Sequence, residues 1–157
     1  MPKIVRVAIA GVDTAQNGDL LSTVVGSCIA IMLYDKKTRI GGMAHIMLGY
    51  SNGKTDTPGK YADTAVPHLI QLMEQSGAPA YRLKGAKVAG GGEMFDHFSP
   101  ELNVSKLNIK AVYDILARHG ISIIAEDLGG KTGRRVTLDT ETGKVQVDVH
   151  GEQAKIL

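Results

Sequence analysis

Tryptophan is missing from this sequence, phenylalanine occurs twice and cysteine once. With so few large rings, aliphatic side chains and six Met must fill whatever core the chain builds. A single cysteine excludes an intrachain disulfide, a CxxC redox pair and a multi-cysteine zinc site. An excess of one charge is also lacking: 18 Lys and Arg stand against 16 Asp and Glu, a formal charge of +2. No basic run reaches five residues, so the charge pattern argues for neither nucleic acid nor an anionic membrane as partner. No apolar run approaches the roughly 18–20 residues that span a bilayer. The opening MPKIVRVAIAGVD is too short and too interrupted for a secretory signal. A reducing cytoplasm, without membrane insertion, is the expected location.

What is present is 43% hydrophobic residues and 19 Gly in 157 residues, which suits one domain spanning 1–157. KIVRVAI (3–9) alternates as a strand does, and LLSTVV (20–25) reads as a second. CIAIMLY (28–34) and IGGMAHIML (40–48) are apolar on both faces, the mark of buried strands. Residues 49–60 form a polar loop rich in turn formers. A helix is predicted within 61–75, with Pro67 in its first turn or kinking it. A second covers about 107–119, with Gly120 just past its end. ISIIAED (121–127) is a strand, and 134–149 is a hairpin pairing Val136 and Leu138 with Val147 and Val145. This order, β-rich with two helices rather than regular βαβ units, predicts the α+β class.

The two apolar strands around YDKKTR carry the chemistry. A two-residue turn at Lys36-Lys37, closed by Asp35 and Thr38, sets Cys28 directly opposite His45 on one face. An odd-length turn would put them on opposite faces. A free thiol near pKa ~8.5 is only a few per cent thiolate at neutral pH, and a neighbouring imidazolium favours the thiolate. Gly26-Ser27 interrupts the strand just before Cys28, which would expose the sulfur and free backbone N–H groups for an oxyanion. The plainer alternative is a small buried thiol and a satisfied core histidine.

VVGSCIAIMLYD followed by GGMAHIML resembles the core motif of the CheD-type chemoreceptor glutamine deamidases. GKTDTPGKYADTAV, AGGGEMF and AEDLGGKTGRRVTLDTETGKV resemble further segments of that family in the same order, so the likeness covers nearly the whole chain. The resemblance implies a cysteine hydrolase that converts receptor glutamines to glutamate with release of ammonia. It implies Cys28 as nucleophile, His45 as base and Ser22 as the hydroxyl that orients the ring, with Thr23 next door as a competitor for that role. It also implies a layered α/β sandwich with mixed, largely antiparallel sheets, similar to cytotoxic necrotizing factor-type cysteine hydrolases. No cofactor or metal is called for. The implied partners are the cytoplasmic domains of methyl-accepting chemoreceptors and a CheC-type phosphatase. Receptor methylesterase chemistry on the same thiol and a non-catalytic adaptor are the alternatives. Gly49 and Pro67 depart from the family pattern.

Other features have plainer readings. AGGGEMF lacks the Gly-Lys-Ser/Thr ending of a phosphate loop, so a close backbone approach, beside a substrate, is expected there. His68, His97, His119 and His150 show no ligand spacing. Met43 and Met47 flank His45 and are expected to line the site or the core. Arg134-Arg135 reads as a solvated strand start, with a substrate or receptor contact as the alternative.

Overall fold

The computed structural model describes residues 1–94 and 103–157. The strand predicted at 3–9 is shorter in the structure, and a further strand follows it. β1 (Ile4–Arg6) ends early, the chain turns through a left-handed Ala10 (φ 64°), and β2 (Val12–Ala15) begins. β2 was not among the predicted strands; the turn before it is closed by Gly11 N–H donating to Ala8 O at 2.7 Å. β3 (Leu20–Val25) matches its predicted bounds, and β4 (Ile29–Asp35) and β5 (Ile40–Ile46) follow. Helix α1 (Ala62–Ser76) leads to β6 (Gly85–Gly90). Helix α2 (Val104–Arg118) leads to β7 (Ser122–Leu128), β8 (Arg134–Asp139), β9 (Val145–Asp148) and β10 (Lys155–Ile156).

The strands form two mixed, five-stranded sheets, ordered β1-β3-β8-β9-β10 and β2-β5-β4-β6-β7, so the α+β expectation holds. Most neighbours are antiparallel, and β1–β3 and β6–β7 are the parallel pairs. β4 is apolar on both faces because both are covered. Ile29, Ile31 and Leu33 pack with helix residues such as Leu69, Met73, Val112 and Leu116. Ala30 and Met32 pack instead with Leu21, Val25, Val136 and Leu138 of the other sheet. The result is three layers, sheet on sheet with helices outside the second sheet. The β8–β9 register is the expected one, Val136 opposite Val147 and Leu138 opposite Val145.

α1 runs through Pro67, which lies inside the helix beyond its first turn, the first of its two predicted placements being excluded. α2 starts earlier than predicted because Asn103 caps it, its side chain accepting from Lys106 N–H at 3.1 Å. Gly49 is explained by packing: a Cβ there would stand 2.2 Å from Ala111 Cβ on α2.

The turn between β4 and β5 is four residues long, with Asp35 paired to Ile40. Arg39 is left-handed (φ 57°) and its N–H returns to Asp35 O at 2.8 Å. Asp35 itself is buried. It accepts from Thr38 Oγ1 at 2.6 Å and from Arg82 through Nε and Nη2, both at 2.9 Å. The Arg82 guanidinium, with Thr38 and the Lys37 N–H, pulls its pKa down to about 2 against the cost of burial. Because the folded-state pKa is depressed, the stabilisation is complete above the unfolded value of about 3.9 and fades as pH falls toward about 2. Asp35→Ala is expected to cost on the order of 2 kcal/mol at neutral pH. The difference from the parent should shrink in urea titrations carried down through that acid window. A constant gap at all pH values would remove the ion pair from the explanation.

Candidate active site

His45 lies on β5, 2% exposed, with its backbone held on both sides: its N–H donates to Gly11 O at 3.0 Å and its carbonyl accepts from Ala10 N–H at 2.9 Å. Its ring crosses the space between the sheets and meets β3, where Thr23 Oγ1 stands 2.7 Å from Nδ1. Thr23 Oγ1 also donates to Val7 O at 2.7 Å. A hydroxyl has one proton. With that proton on Val7 O, Thr23 is an acceptor toward the ring, so Nδ1 carries the imidazole hydrogen and Nε2 keeps its lone pair. The tautomer follows from this assignment of the hydrogen-bond network.

Ser22 does not make the predicted contact with His45. Its Oγ pairs with Thr137 Oγ1 at 3.2 Å on the other face of β3, opposite its cross-strand partner. Successive strand residues point opposite ways, and Leu21, Thr23 and Val25 share the face turned to the second sheet. The hydroxyl that reaches the imidazole is therefore Thr23.

Cys28 is displaced from its predicted position as well. Ala30, not Cys28, lies opposite His45, because the turn has four residues rather than two. The difference is even, so the face is unchanged. Cys28 is diagonal to His45 and packs, half-buried, against the intersheet core that includes Ala30 and Met43. Burial pushes the Cys28 thiol up and the His45 imidazole down. Both directions favour the neutral forms over the thiolate and imidazolium.

The bend at Gly26, Ser27 and Cys28 has its carbonyls engaged. Gly26 O accepts from Gly92 N–H and Cys28 O from Gly91 N–H, each at 2.9 Å, and Ser27 O accepts from Asn108 Nδ2 at 3.3 Å. In a trans peptide the N–H points opposite to the C=O. The Ser27 and Cys28 N–H groups are thus turned away from these partners, and among the described residues neither has an acceptor. The glycine cluster predicted to make a close backbone approach makes it here, against the cysteine bend. At Gly90 (φ 128°) a Cβ would stand 2.2 Å from Cys28 O. Phe95 and His97 lie outside the described residues.

Several residues have other roles than the sequence suggested. Arg134 is not solvated: it is 5% exposed, and its Nη1 donates to Asp127 O at 2.9 Å and Asp127 Oδ2 at 3.1 Å. Its Nη2 donates to the carbonyls of Thr132 and Gly129, so it stitches the β7–β8 loop, which in turn accepts Glu93 N–H at Gly130 O. Met43 is in the intersheet core, as one of its two predicted readings had it. Asn108, on α2, was not singled out by the sequence. It is 2% exposed, and besides Ser27 O its Nδ2 donates to Met47 O at 2.9 Å. An apolar groove of about 690 Å³, lined among others by Leu48, Tyr50, Leu107 and Ala111, borders Asn108. No helix is long and apolar enough to cross a membrane, and no group of three or more His, Cys, Asp or Glu gathers as a metal site, among the described residues.

A family model described as CheD chemotactic sensory transduction matches residues 47–149. The chain is 41% identical over 150 residues to a Methanococcus maripaludis protein named probable chemoreceptor glutamine deamidase CheD, covering 95% of this chain and 97% of that one. A Thermotoga maritima protein named chemoreceptor glutamine deamidase CheD is 44% identical over 141 residues, 88% of each chain. A Clostridium botulinum relative, named probable chemoreceptor glutamine deamidase CheD, is 43% identical over 155 residues, 95% of this chain and 94% of its own. The family-model match begins after His45, whereas the alignments to these relatives extend over most of the chain.

Proposed function

The chain belongs to the CheD family, and on that footing we propose that it deamidates glutamine side chains of chemoreceptors through a thioester on Cys28. The observation that carries the mechanism is the Val7–Thr23–His45 hydrogen-bond relay, which leaves Nε2 unprotonated in the same intersheet space that Cys28 faces.

His45 Nε2 takes the thiol proton as the sulfur attacks the amide carbon, so the reaction starts from neutral partners and needs no preformed ion pair. The N–H groups of Ser27 and Cys28, directed away from the partners of the Gly26 and Ser27 carbonyls, receive the oxyanion. The imidazolium returns its proton to the departing nitrogen, the C–N bond breaks and ammonia leaves. Water, deprotonated by the same Nε2, then hydrolyses the thioester to glutamate and restores the thiol. Thr23 holds the ring and fixes its tautomer throughout. Receptor cytoplasmic domains are the proposed substrates, the cytoplasm the proposed location and a CheC-type phosphatase the proposed regulator, all three on the strength of family membership.

Incubation with a chemoreceptor cytoplasmic fragment tests this reading. Ammonia release, with amide-to-acid mass shifts at defined glutamines, is the expected result. Methanol release from a methylated fragment would instead identify an esterase, and binding without either product an adaptor. Within the same assay Thr23→Val should lower kcat on the order of 100-fold, as loss of ring orientation and tautomer control does. Thr23→Ser should stay close to the parent. Ser22→Ala should change kcat by no more than about twofold, since it loses only one cross-strand hydrogen bond worth about 1 kcal/mol of stability. The opposite ranking would return the third role to Ser22.

A further inference from the structure

The β4–β5 ladder ends at the pair Ile29 and Ile46. Beyond it the two strands part: Met47 and Leu48 N–H both turn to Lys60 O, at 2.8 and 3.1 Å, while the other strand enters the Gly26–Cys28 bend. Cys28 lies just past this open end and His45 just inside it. The β4–β5 ladder therefore stops short of Cys28, whose carbonyl is held instead by Gly91 N–H at 2.9 Å. One side chain spans the opening. Asn108 Nδ2 donates to Ser27 O at 3.3 Å and to Met47 O at 2.9 Å.

Both partners are carbonyl oxygens, so both demand a donor, and the amide nitrogen must be the atom facing them. Both hydrogens of that nitrogen are used. Ser27 C=O belongs to the peptide that carries the Cys28 N–H, so whatever fixes the carbonyl also aims that N–H in the opposite direction. Asn108 is 2% exposed and sits on the α2 face that also buries Ala111, Val112 and Ile115. A polar residue on such a face needs its hydrogen bonds satisfied, and here they are spent on the peptide before Cys28 and on the residue two past His45.

We infer that Asn108 is a positioning residue: it acts as the last rung of the β4–β5 pair, sets the spacing of Cys28 from His45 and orients the Ser27–Cys28 peptide toward the oxyanion. The inference rests on the reading of Cys28 as nucleophile and His45 as base. It assigns α2 a part in the chemistry, although α2 presents no reacting group.

Two assays on the same variants test it. The first follows iodoacetamide alkylation of Cys28, the sole thiol, across pH in the intact chain. The second follows ammonia release from a chemoreceptor cytoplasmic fragment, separated into kcat and KM. Asn108→Ala is expected to lower kcat about 100-fold, the cost of a small misplacement of reacting groups. KM should stay within about threefold and the alkylation profile should move. Asn108→Ser, with one donor and less volume lost, should fall between parent and Ala. Asn108→Asp should be the worst at neutral pH, where a carboxylate faces two carbonyl oxygens, and should recover in part on acidification, when its protonated form regains a donor. A merely structural role would lower the melting temperature while leaving kcat per folded molecule and the alkylation profile unchanged, and that result would overturn the inference. If the parent releases no ammonia but the alkylation profile still moves, the deamidase reading fails and the positioning role stands. If the parent deamidates and neither readout moves, the positioning role falls alone.

Discussion

Cys28→Ala is expected to abolish ammonia release, lowering kcat by roughly 10⁵-fold or more, to the level that binding and backbone donors support without a nucleophile. The size follows from what the side chain does. In the proposed cycle the sulfur makes and breaks the bond to the substrate carbonyl carbon, and no other thiol is present to substitute. The structural cost should be small. Cys28 is half-buried in a bend outside the strand ladder, so removing its sulfur should lower stability by about 1 kcal/mol. Melting curves, receptor binding and ammonia release measured together decide the matter. A folded Cys28→Ala protein retaining one per cent of parental turnover would exclude the thioester route.

His45→Gln should be next in size, a loss of about 10³–10⁴-fold in kcat, because base and acid functions disappear together. Glutamine keeps a polar group near Thr23 but has no nitrogen able to take the thiol proton. The pH profile gives a second signature. Burial lowers the His45 pKa, so the neutral ring persists below its ordinary value of about 6.5 and the acid limb of kcat/KM should lie under that value. In His45→Gln this limb should vanish. The same shifts act on folding. A histidine whose folded-state pKa is depressed stabilises the protein above about 6.5, and this contribution is lost as pH falls through the folded-state value. The thiol has the opposite sign. Burial raises its pKa, so its contribution is complete below the ordinary thiol value of about 8.5 and is lost as pH rises toward the folded-state value. For these two groups together, stability should be greatest between those limits, and Cys28 alkylation should be slower at neutral pH than that of a free thiol. Fast alkylation at acid pH would instead restore the ion pair expected from the sequence.

Much of this arrangement was legible in the sequence because it depends on parity. The Val136–Val147 register follows from period-two alternation, and so does the intersheet face of Cys28, which a register slip of two leaves unchanged. Turn length was not legible. Nothing marks Arg39 as a residue that will adopt left-handed geometry, and the register slipped by two as a result. The choice between Ser22 and Thr23 was hidden for another reason. LLSTVV is apolar at both parities, so its pattern cannot say which face is inward, and only packing against the second sheet separates buried Val25 from exposed Val24. Asn108 did leave a trace. It is, with Ser105, a polar member of a buried stripe that includes Ala111, Val112 and Ile115, a position where a side chain needs a partner. The sequence pattern does not tell that its partners lie 61 and 81 residues away.

β1 has a consequence for how the enzyme would lose activity. It is three residues long, lies at a sheet edge and, among the described residues, pairs only with β3. Just beyond it, Val7 N–H donates to Ser22 O at 2.8 Å and Val7 O receives the Thr23 proton. Edge segments of this kind open far more readily than the protein unfolds. When this one peels away, the Thr23 hydroxyl loses its acceptor and is free to donate to Nδ1 instead, which moves the imidazole hydrogen to Nε2 and closes the base. Turnover would then be scaled by the fraction of molecules whose edge is docked. Amide exchange at Val7 would measure that fraction directly, and a graft that frays the edge would silence the enzyme with its nucleophile, its base and its core all in place.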